Sequence, residues 1–372
     1  VRIDSLTSTR FVVALLLVLF HTAATGLSND SFIGKLLLAG DSGVSYFFVL
    51  SGFILVIASG DNQHLPQRIR KGRFWRNRFA RIYPLYLVAL TLTFVADVLT
   101  HSNSFGRLSL GSVVSSLLLI QAWIPAYTMD LNYPGWSLSA EVFFYALFPV
   151  LYAGMVRRSV WQMLAMTILF WGISLAVHVD MVQQMSVVDT AWFHNLTMYF
   201  PLLHLNTFLL GMATGFIWVR HRTRLAHYQL GLALALLVMA AVIGYVIVNQ
   251  LPLLRLRHNG LFAPLFILLI LWLSVQSGVL SRWLSRPLPV HLGEISYGIY
   301  LLQIPVGTVA FYVNYRWLHC PTWVYLPLYI GLLCGIASLC YRFIETPARQ
   351  FIRQWTLPRF VRSSDEQLSR PA

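Results

Sequence analysis

Charged residues are scarce: Asp, Glu, Lys and Arg make up 11% of the 372 residues, against 57% that are hydrophobic. A soluble protein of this length carries about twice that charged fraction, so a soluble globular enzyme is excluded. Cysteine is scarcer still. Cys320, Cys334 and Cys340 show no paired metal-ligand spacing and define no disulfide framework, and two of them lie in an apolar run, where cysteine acts as a small hydrophobe. No polar segment is long enough to form a separate soluble domain, and no inverted internal repeat of the kind found in many carriers is visible. A single polytopic α-helical membrane domain remains.

Apolar runs lie near residues 11–27, 43–59, 80–99, 137–156, 160–178, 201–219, 228–249, 261–277, 293–313 and 323–343. A shorter run near 112–124 is read as a re-entrant or partial helix. The fold class is therefore all-α, a membrane helical bundle of ten transmembrane helices plus that short segment. Membrane topology is set by an excess of Lys and Arg on the cytoplasmic side. With the N-terminus inside, Arg68, Arg70, Lys71, Arg73, Arg76, Arg78, Arg81, Arg157, Arg158, Arg220, Arg222, Arg224, Arg282 and Arg286 all fall inside. Of 27 basic residues only Lys35, Arg107, Arg255, Arg257 and Arg316 fall outside. The net charge of +14 is thus a topology signal and not a nucleic-acid footprint. Residues 1–344 are assigned to the membrane domain, and 345–372 to a basic cytoplasmic tail without chemistry. The basic start, apolar centre and small residues Thr22, Ala23 and Ala24 also fit a cleaved signal peptide, a reading set aside because cleavage would remove the first span's polar pair.

That pair is Arg10 and His21, eleven residues apart in the run ending near Gly26. At 100° per residue they share one helical face, and at ~1.5 Å rise they stand roughly 16 Å apart, about half of a ~30 Å hydrocarbon core. An ionisable group at that depth marks a functional site. A neutral imidazole is the side chain best suited to take a proton near pH 7, although a packing histidine is the plainer reading and a metal ligand lacks partners at ligand spacing.

Other constellations stand beside it. Arg78 and Arg81 share a face at i, i+3 where the third span begins, and guanidinium forks suit phosphate. Anionic lipid accounts for the rest of that basic run. In Tyr133-Pro-Gly-Trp136-Ser137-Leu-Ser-Ala-Glu141-Val-Phe-Phe-Tyr145, the side chains of Ser137, Glu141 and Tyr145 recur on one face, with Glu141 about one turn inside the membrane. Gly43 and Gly52 allow close approach of another backbone or of a thin ligand chain. The ninth span carries Glu294, Tyr297, Tyr300 and Gln303, with Gln303 at about the estimated depth of His21. Glu345 and Arg349 form an i, i+4 pair, read as a structural helix-end contact before Pro347.

Taken in order, these stretches resemble the integral-membrane acyltransferase family 3: Arg10-x10-His21, Phe47-Phe48-x-Leu50-Ser51-Gly52-Phe53, Arg78-x2-Arg81-Ile82-x-Pro84, Trp136-Ser137-Leu138-x2-Glu141-x-Phe143-Phe144-Tyr145, Ser296-Tyr297-x2-Tyr300-Leu301 and Tyr341-x3-Glu345-x-Pro347. The resemblance implies a ten-helix bacterial inner-membrane enzyme with both termini cytoplasmic. Such enzymes move an acyl group, commonly acetyl, from a cytoplasmic acyl-CoA to a carbohydrate hydroxyl at the outer face. It also implies dependence on Arg10 and His21. Family members often have His where this chain has Gln303.

The expectation is O-acetylation of a cell-envelope or exported polysaccharide, or of its lipid-linked precursor. His21 would act as general base and Glu141 would orient it or the acceptor. Arg10, Arg78 and Arg81 would hold the phosphates of acetyl-CoA, and its pantetheine arm would pass Ser51 and Gly52. Trp136, Ser137, Tyr145, Tyr297 and Gln303 are assigned to substrate, with the Trp136 ring stacking on sugar. Acetyl-CoA is a substrate here, and no tightly bound cofactor or metal is expected. The remaining partners are the carbohydrate acceptor and membrane lipids. A coenzyme-length tunnel from Arg78 and Arg81 to His21 would support this reading over a proton-coupled carrier or a flippase of sugars or lipid-linked glycans.

Overall fold

The computed structural model describes residues 3–23, 31–60, 65, 69–101 and 108–354. Ala24 through Gly26, Arg68, Arg107 and the tail beyond residue 354 lie outside the described residues. Lipid cannot satisfy backbone N–H and C=O groups, so a chain of apolar runs closes its hydrogen bonds within helices. All regular elements among the described residues are helical. They are α1 (Asp4–Ala23), α2 (Phe32–Leu38), α3 (Gly43–Ser59), α4 (Lys71–Thr100), α5 (Leu110–Leu117), α6 (Gly135–Met155), α7 (Val160–Gln184), α8 (Ala191–Tyr199), α9 (Leu205–His227), α10 (Gln229–Val248), α11 (Ala263–Val275), α12 (Val279–Leu284), α13 (Pro287–Val313), α14 (Thr322–Cys340) and α15 (Thr346–Gln354).

Nine helical stretches among the described residues are long and apolar enough to span a membrane. Pro252–Asn259 and α11, bent by 54° against each other, make a tenth if the pair is counted as one broken span, the position of the 261–277 run in the sequence. At eight residues, α5 is only ~12 Å long and too short to cross. Local signals fix several starts. Ser159 and Gln162 form a reciprocal capping box at the head of α7, and Ser109 caps α5.

Two packing groups make up the bundle. In one, α13 lies against α1, α4 and α14; in the other, α9 lies against α3, α7 and α11. The second group is drawn together by glycine. A Cβ on Gly52 would stand 2.3 Å from the Phe208 carbonyl oxygen, and one on Gly211 would stand 2.0 Å from that of Val49. Only glycine permits so close a backbone approach. Gly52 is therefore a helix-packing residue facing α9, and it does not line a path for pantetheine. Past α14 the chain makes one turn of π-helix, Tyr341–Glu345, before α15 packs on α4.

Candidate active site

The bundle encloses an elongated cavity of about 370 Å³ where α1, α3, α4, α6 and α13 converge. Along α3 its wall runs from Val44 to Leu55, eleven residues or ~16 Å. One end is basic: Arg10 from α1, Arg78 and Arg81 from α4, and Arg349 from α15 all line it, against the carboxylates of Glu141 and Glu294. Phe47 and Tyr300 line the cavity as well, with ring centroids 6.4 Å apart.

The three arginines singled out by sequence do converge. No side chain among the described residues forms an ion pair with Arg10, Arg78 or Arg81. The guanidinium of Arg78 is 5.8 Å from the ring centroids of both Phe74 and Tyr145, a spacing at which cation and ring attract, and its Nε is buried without a hydrogen-bond partner. Desolvated cations without carboxylate partners are costly unless an anion occupies the site.

Ser137, Glu141 and Tyr145 all line this cavity from their shared face of α6. The Ser51 hydroxyl donates to Glu141 Oε1 at 3.2 Å, and the Tyr145 hydroxyl donates to the same oxygen. Glu141 is therefore tied to the wall of the basic cavity and makes no hydrogen bond to His21. Of its two expected roles, orienting the base or the acceptor, the first has no hydrogen bond behind it. The Tyr297 hydroxyl donates to the Ile82 carbonyl at 2.8 Å, pinning α13 to α4.

His21 is not among the residues that line the cavity. A Cβ on Gly43 would meet Val13 and Leu17, so the top of α3 stands level with the turn of α1 just below His21. The cavity therefore does not form the expected tunnel through to His21. The Ser137 and Tyr300 hydroxyls, both on the cavity lining, are 2.9 Å apart, and they reach the Pro134 carbonyl at 2.9 and 3.1 Å respectively. These contacts fix the Tyr300 side chain against α6.

One turn past Tyr300 on α13, Gln303 is 3% exposed and its Oε1 is 2.9 Å from His21 Nδ1. The amide orientation follows from its other end, where Nε2 donates to the Tyr300 carbonyl at 2.8 Å. Oε1 must then accept, so Nδ1 carries the proton and Nε2 of His21 keeps its lone pair. The imidazole also packs edge-on against Tyr133, at 5.0 Å and 83°. Gln303 thus holds His21 at Nδ1, a contact that its expected place in the substrate site did not include. The matching depths of the two residues were legible in the sequence; the bond between them was not.

Trp136 does not offer a sugar platform. It is 4% exposed and packed among Phe48, Tyr199, His204 and His258, with ring centroids 5.0 to 6.2 Å away. Its breadth fills the core beneath the 125–134 segment instead. Sequence reasoning also passed over three residues. Tyr300 is fixed against α6 and Tyr133 flanks the base, and both stand inside recognised motifs without a spacing that reveals the role. Arg349 was read as a helix-end partner of Glu345, and their ion pair is present at 3.2 Å. Because α15 continues the line of α14 and packs against α4, however, that pair stands at the cavity and not out in a solvated tail. Glu345 is 3% exposed. Among the described residues no cluster of His, Cys, Asp or Glu could hold a metal ion.

Comparison with known proteins agrees with this architecture. A family model described as an acyltransferase domain matches residues 3–342. The acyltransferase MdmB of Streptomyces mycarofaciens is 39% identical over 168 residues, covering 42% of this chain and 41% of that protein. The O-acetyltransferase OatA of Staphylococcus aureus (strain NCTC 8325 / PS 47) is 25% identical over 360 residues, covering 90% of this chain and 55% of that protein. The chain spans about half the length of the curated relatives it matches. No solved structure matches it.

Proposed function

The chain belongs to the integral-membrane acyltransferase family, and from that premise we propose that it transfers an acetyl group from acetyl-CoA to a hydroxyl of a cell-envelope or exported polysaccharide or its lipid-linked precursor. The observation that carries this reading is a cavity lined by four arginines and by Tyr300, one helical turn along α13 from the Gln303 that fixes the tautomer of His21. The protein sits in the bacterial cytoplasmic membrane with both termini inside, so the basic end faces the compartment that supplies acyl-CoA.

Forked guanidiniums of Arg10, Arg78 and Arg81 meet the coenzyme phosphates. The pantetheine arm rises along α3 past Ser51 and Phe47. Displacement of the Tyr300 ring from Ser137 admits the thioester to His21. The acceptor hydroxyl approaches from the opposite face and gives its proton to Nε2 of His21 as its oxygen attacks the thioester carbonyl. Gln303 accepts from Nδ1–H throughout and stabilises the imidazolium. The tetrahedral intermediate then expels the coenzyme thiolate, which takes the proton back from Nε2. The acetyl ester and free CoA leave by opposite faces. A positioned general base is typically worth ~10²–10⁴-fold.

The test is transfer of labelled acetate from acetyl-CoA to oligosaccharide by the purified chain in nanodiscs. His21→Ala is expected to lower the rate by roughly 10²–10⁴-fold. Full transfer by that variant would overturn the mechanism, and glycan translocation without transfer would establish a carrier instead.

A further inference from the structure

The helix that carries Tyr300 and Gln303 contains a proline, Pro305, two residues past Gln303. Proline has no N–H, so the carbonyl four residues back, on Leu301, has no donor within α13. In a membrane interior a carbonyl freed in this way is met by a neighbouring segment. Here the donor is Asn132, whose Nδ2 reaches the Leu301 oxygen at 3.0 Å across 169 residues of chain. Asn132 is 5% exposed, and its Oδ1 is buried without a hydrogen-bond partner. The amide therefore gains stability at one atom and costs it at the other. As a stability device it is poor, but as a tie it is well placed. The next residue, Tyr133, packs edge-on against His21 at 5.0 Å. Residue 134 is tied to α13 as well, by the Tyr300 hydroxyl donating to the Pro134 carbonyl at 3.1 Å. Tyr133 is thus bracketed by two bonds to the helix that holds Gln303 against His21 Nδ1.

We infer that Asn132 is a positioning residue for the base of acyl transfer: by binding the carbonyl that Pro305 frees, it holds Tyr133 and Gln303, two contacts of the His21 ring, in register with each other. The assignment rests on the reading of His21 as that base. Gln303 rides on α13, whereas Tyr133 belongs to the irregular segment between α5 and α6. Without Asn132 that segment keeps only the Pro134 bond to α13, and the Tyr133 ring is free to move against the imidazole. Fewer encounters then present Nε2 to an acceptor hydroxyl along the productive line. Donor binding is not engaged, because Asn132 does not line the arginine-bearing cavity. The same device recurs in α6. Pro149 frees the Tyr145 carbonyl, and Trp75 Nε1 from α4 donates to it at 3.0 Å. There the proline gap ties one helix to another; at Leu301 it ties the residues around the base.

The test measures acetyl transfer from acetyl-CoA to oligosaccharide by the full chain in nanodiscs, with kcat and donor KM taken per folded protein. Asn132→Ala is expected to lower kcat roughly five- to tenfold, the rate equivalent of one net hydrogen bond, with donor KM unchanged. A kcat within twofold of the parent overturns the assignment, and so does a rise in donor KM that accounts for the whole loss. Asn132→Ala also strands the Leu301 carbonyl, so it is paired with the double variant Asn132→Ala/Pro305→Ala, in which residue 305 regains an N–H for that carbonyl. The double variant should recover the thermal midpoint and keep the reduced kcat, because Tyr133 remains untied. Recovery of kcat together with the midpoint overturns the assignment, by showing that Asn132 only fills a hydrogen bond. With no carbonyl stranded, the double variant decides the matter even if Asn132→Ala misfolds. His21→Ala in the same assay separates the two readings. Full transfer by His21→Ala refutes the base and the positioning role with it, whereas a loss in His21→Ala and none in Asn132→Ala refutes the positioning role alone.

Discussion

Gln303→Leu removes the acceptor from His21 at nearly constant side-chain shape. The variant loses two side-chain bonds, the 2.9 Å contact to His21 Nδ1 and the 2.8 Å donation to the Tyr300 carbonyl. The fold should tolerate this. The Tyr329 hydroxyl donates to the backbone oxygen of residue 303 at 2.9 Å, and that bond does not depend on the side chain. What is lost is the definition of the base. Without an acceptor at Nδ1 the imidazole samples both tautomers, and only one presents a lone pair from Nε2. Tyr133 still restrains the ring from one side. A net hydrogen bond of about 1 kcal/mol, realised in orienting the base, corresponds to roughly a five- to tenfold fall in kcat. The KM for acetyl-CoA should stay constant, because Gln303 lies outside the arginine-lined cavity. Gln303→His keeps a nitrogen acceptor within reach and should retain kcat within about threefold. Steady-state acetyl transfer with both substrates varied separates these quantities. A kcat for Gln303→Leu within twofold of the parent would refute the tautomer argument, and so would a rise in donor KM that accounts for the whole effect.

Two further outcomes follow from the packing and the cavity wall. Gly211→Ala places a methyl 2.0 Å from the Val49 carbonyl oxygen, where overpacking costs ~1–3 kcal/mol; a lower thermal midpoint in detergent is expected, and an unchanged midpoint would mean that α3 and α9 separate freely. Glu141→Gln keeps an acceptor for Ser51 and Tyr145 while removing a negative charge beside the arginines of the cavity. Its kcat should stay within about threefold and its donor KM should not rise, whereas a hundredfold loss of kcat would restore Glu141 as a partner of His21.

The sequence made the spans legible because lipid imposes one pattern on every crossing: a run of apolar residues with basic flanks. Facial spacing within one helix was equally readable. It put Ser137, Glu141 and Tyr145 on a common wall and set Gln303 at the level of His21, both by counting residues along an ideal helix. Periodicity is silent on which neighbour a face meets. Trp136 and Ser137 are adjacent, yet one is sealed among aromatic rings and the other lines the cavity. Gly52 and Ser51 divide in the same way, between the α9 backbone and Glu141. Arg349 was hidden for a different reason, because its placement depends on the last helical turns continuing past Pro347 and packing against α4, a contact between residues far apart in sequence.

That helix contains a π-turn at Tyr341–Glu345. A π-turn holds one residue more than an α-turn, so everything after it is rotated by ~100° relative to a continuous α-helix. Here the extra residue falls between α14 and α15 and sets which face of α15 meets the arginine-lined cavity. Removing a single residue between 341 and 345 would restore the ordinary winding and carry both Glu345 and Arg349 off the wall, with no side chain of the site altered. Substitutions at the lipid-facing Phe343, 64% exposed, should be harmless by comparison. Backbone count, more than side-chain identity, sets the outer boundary of this pocket.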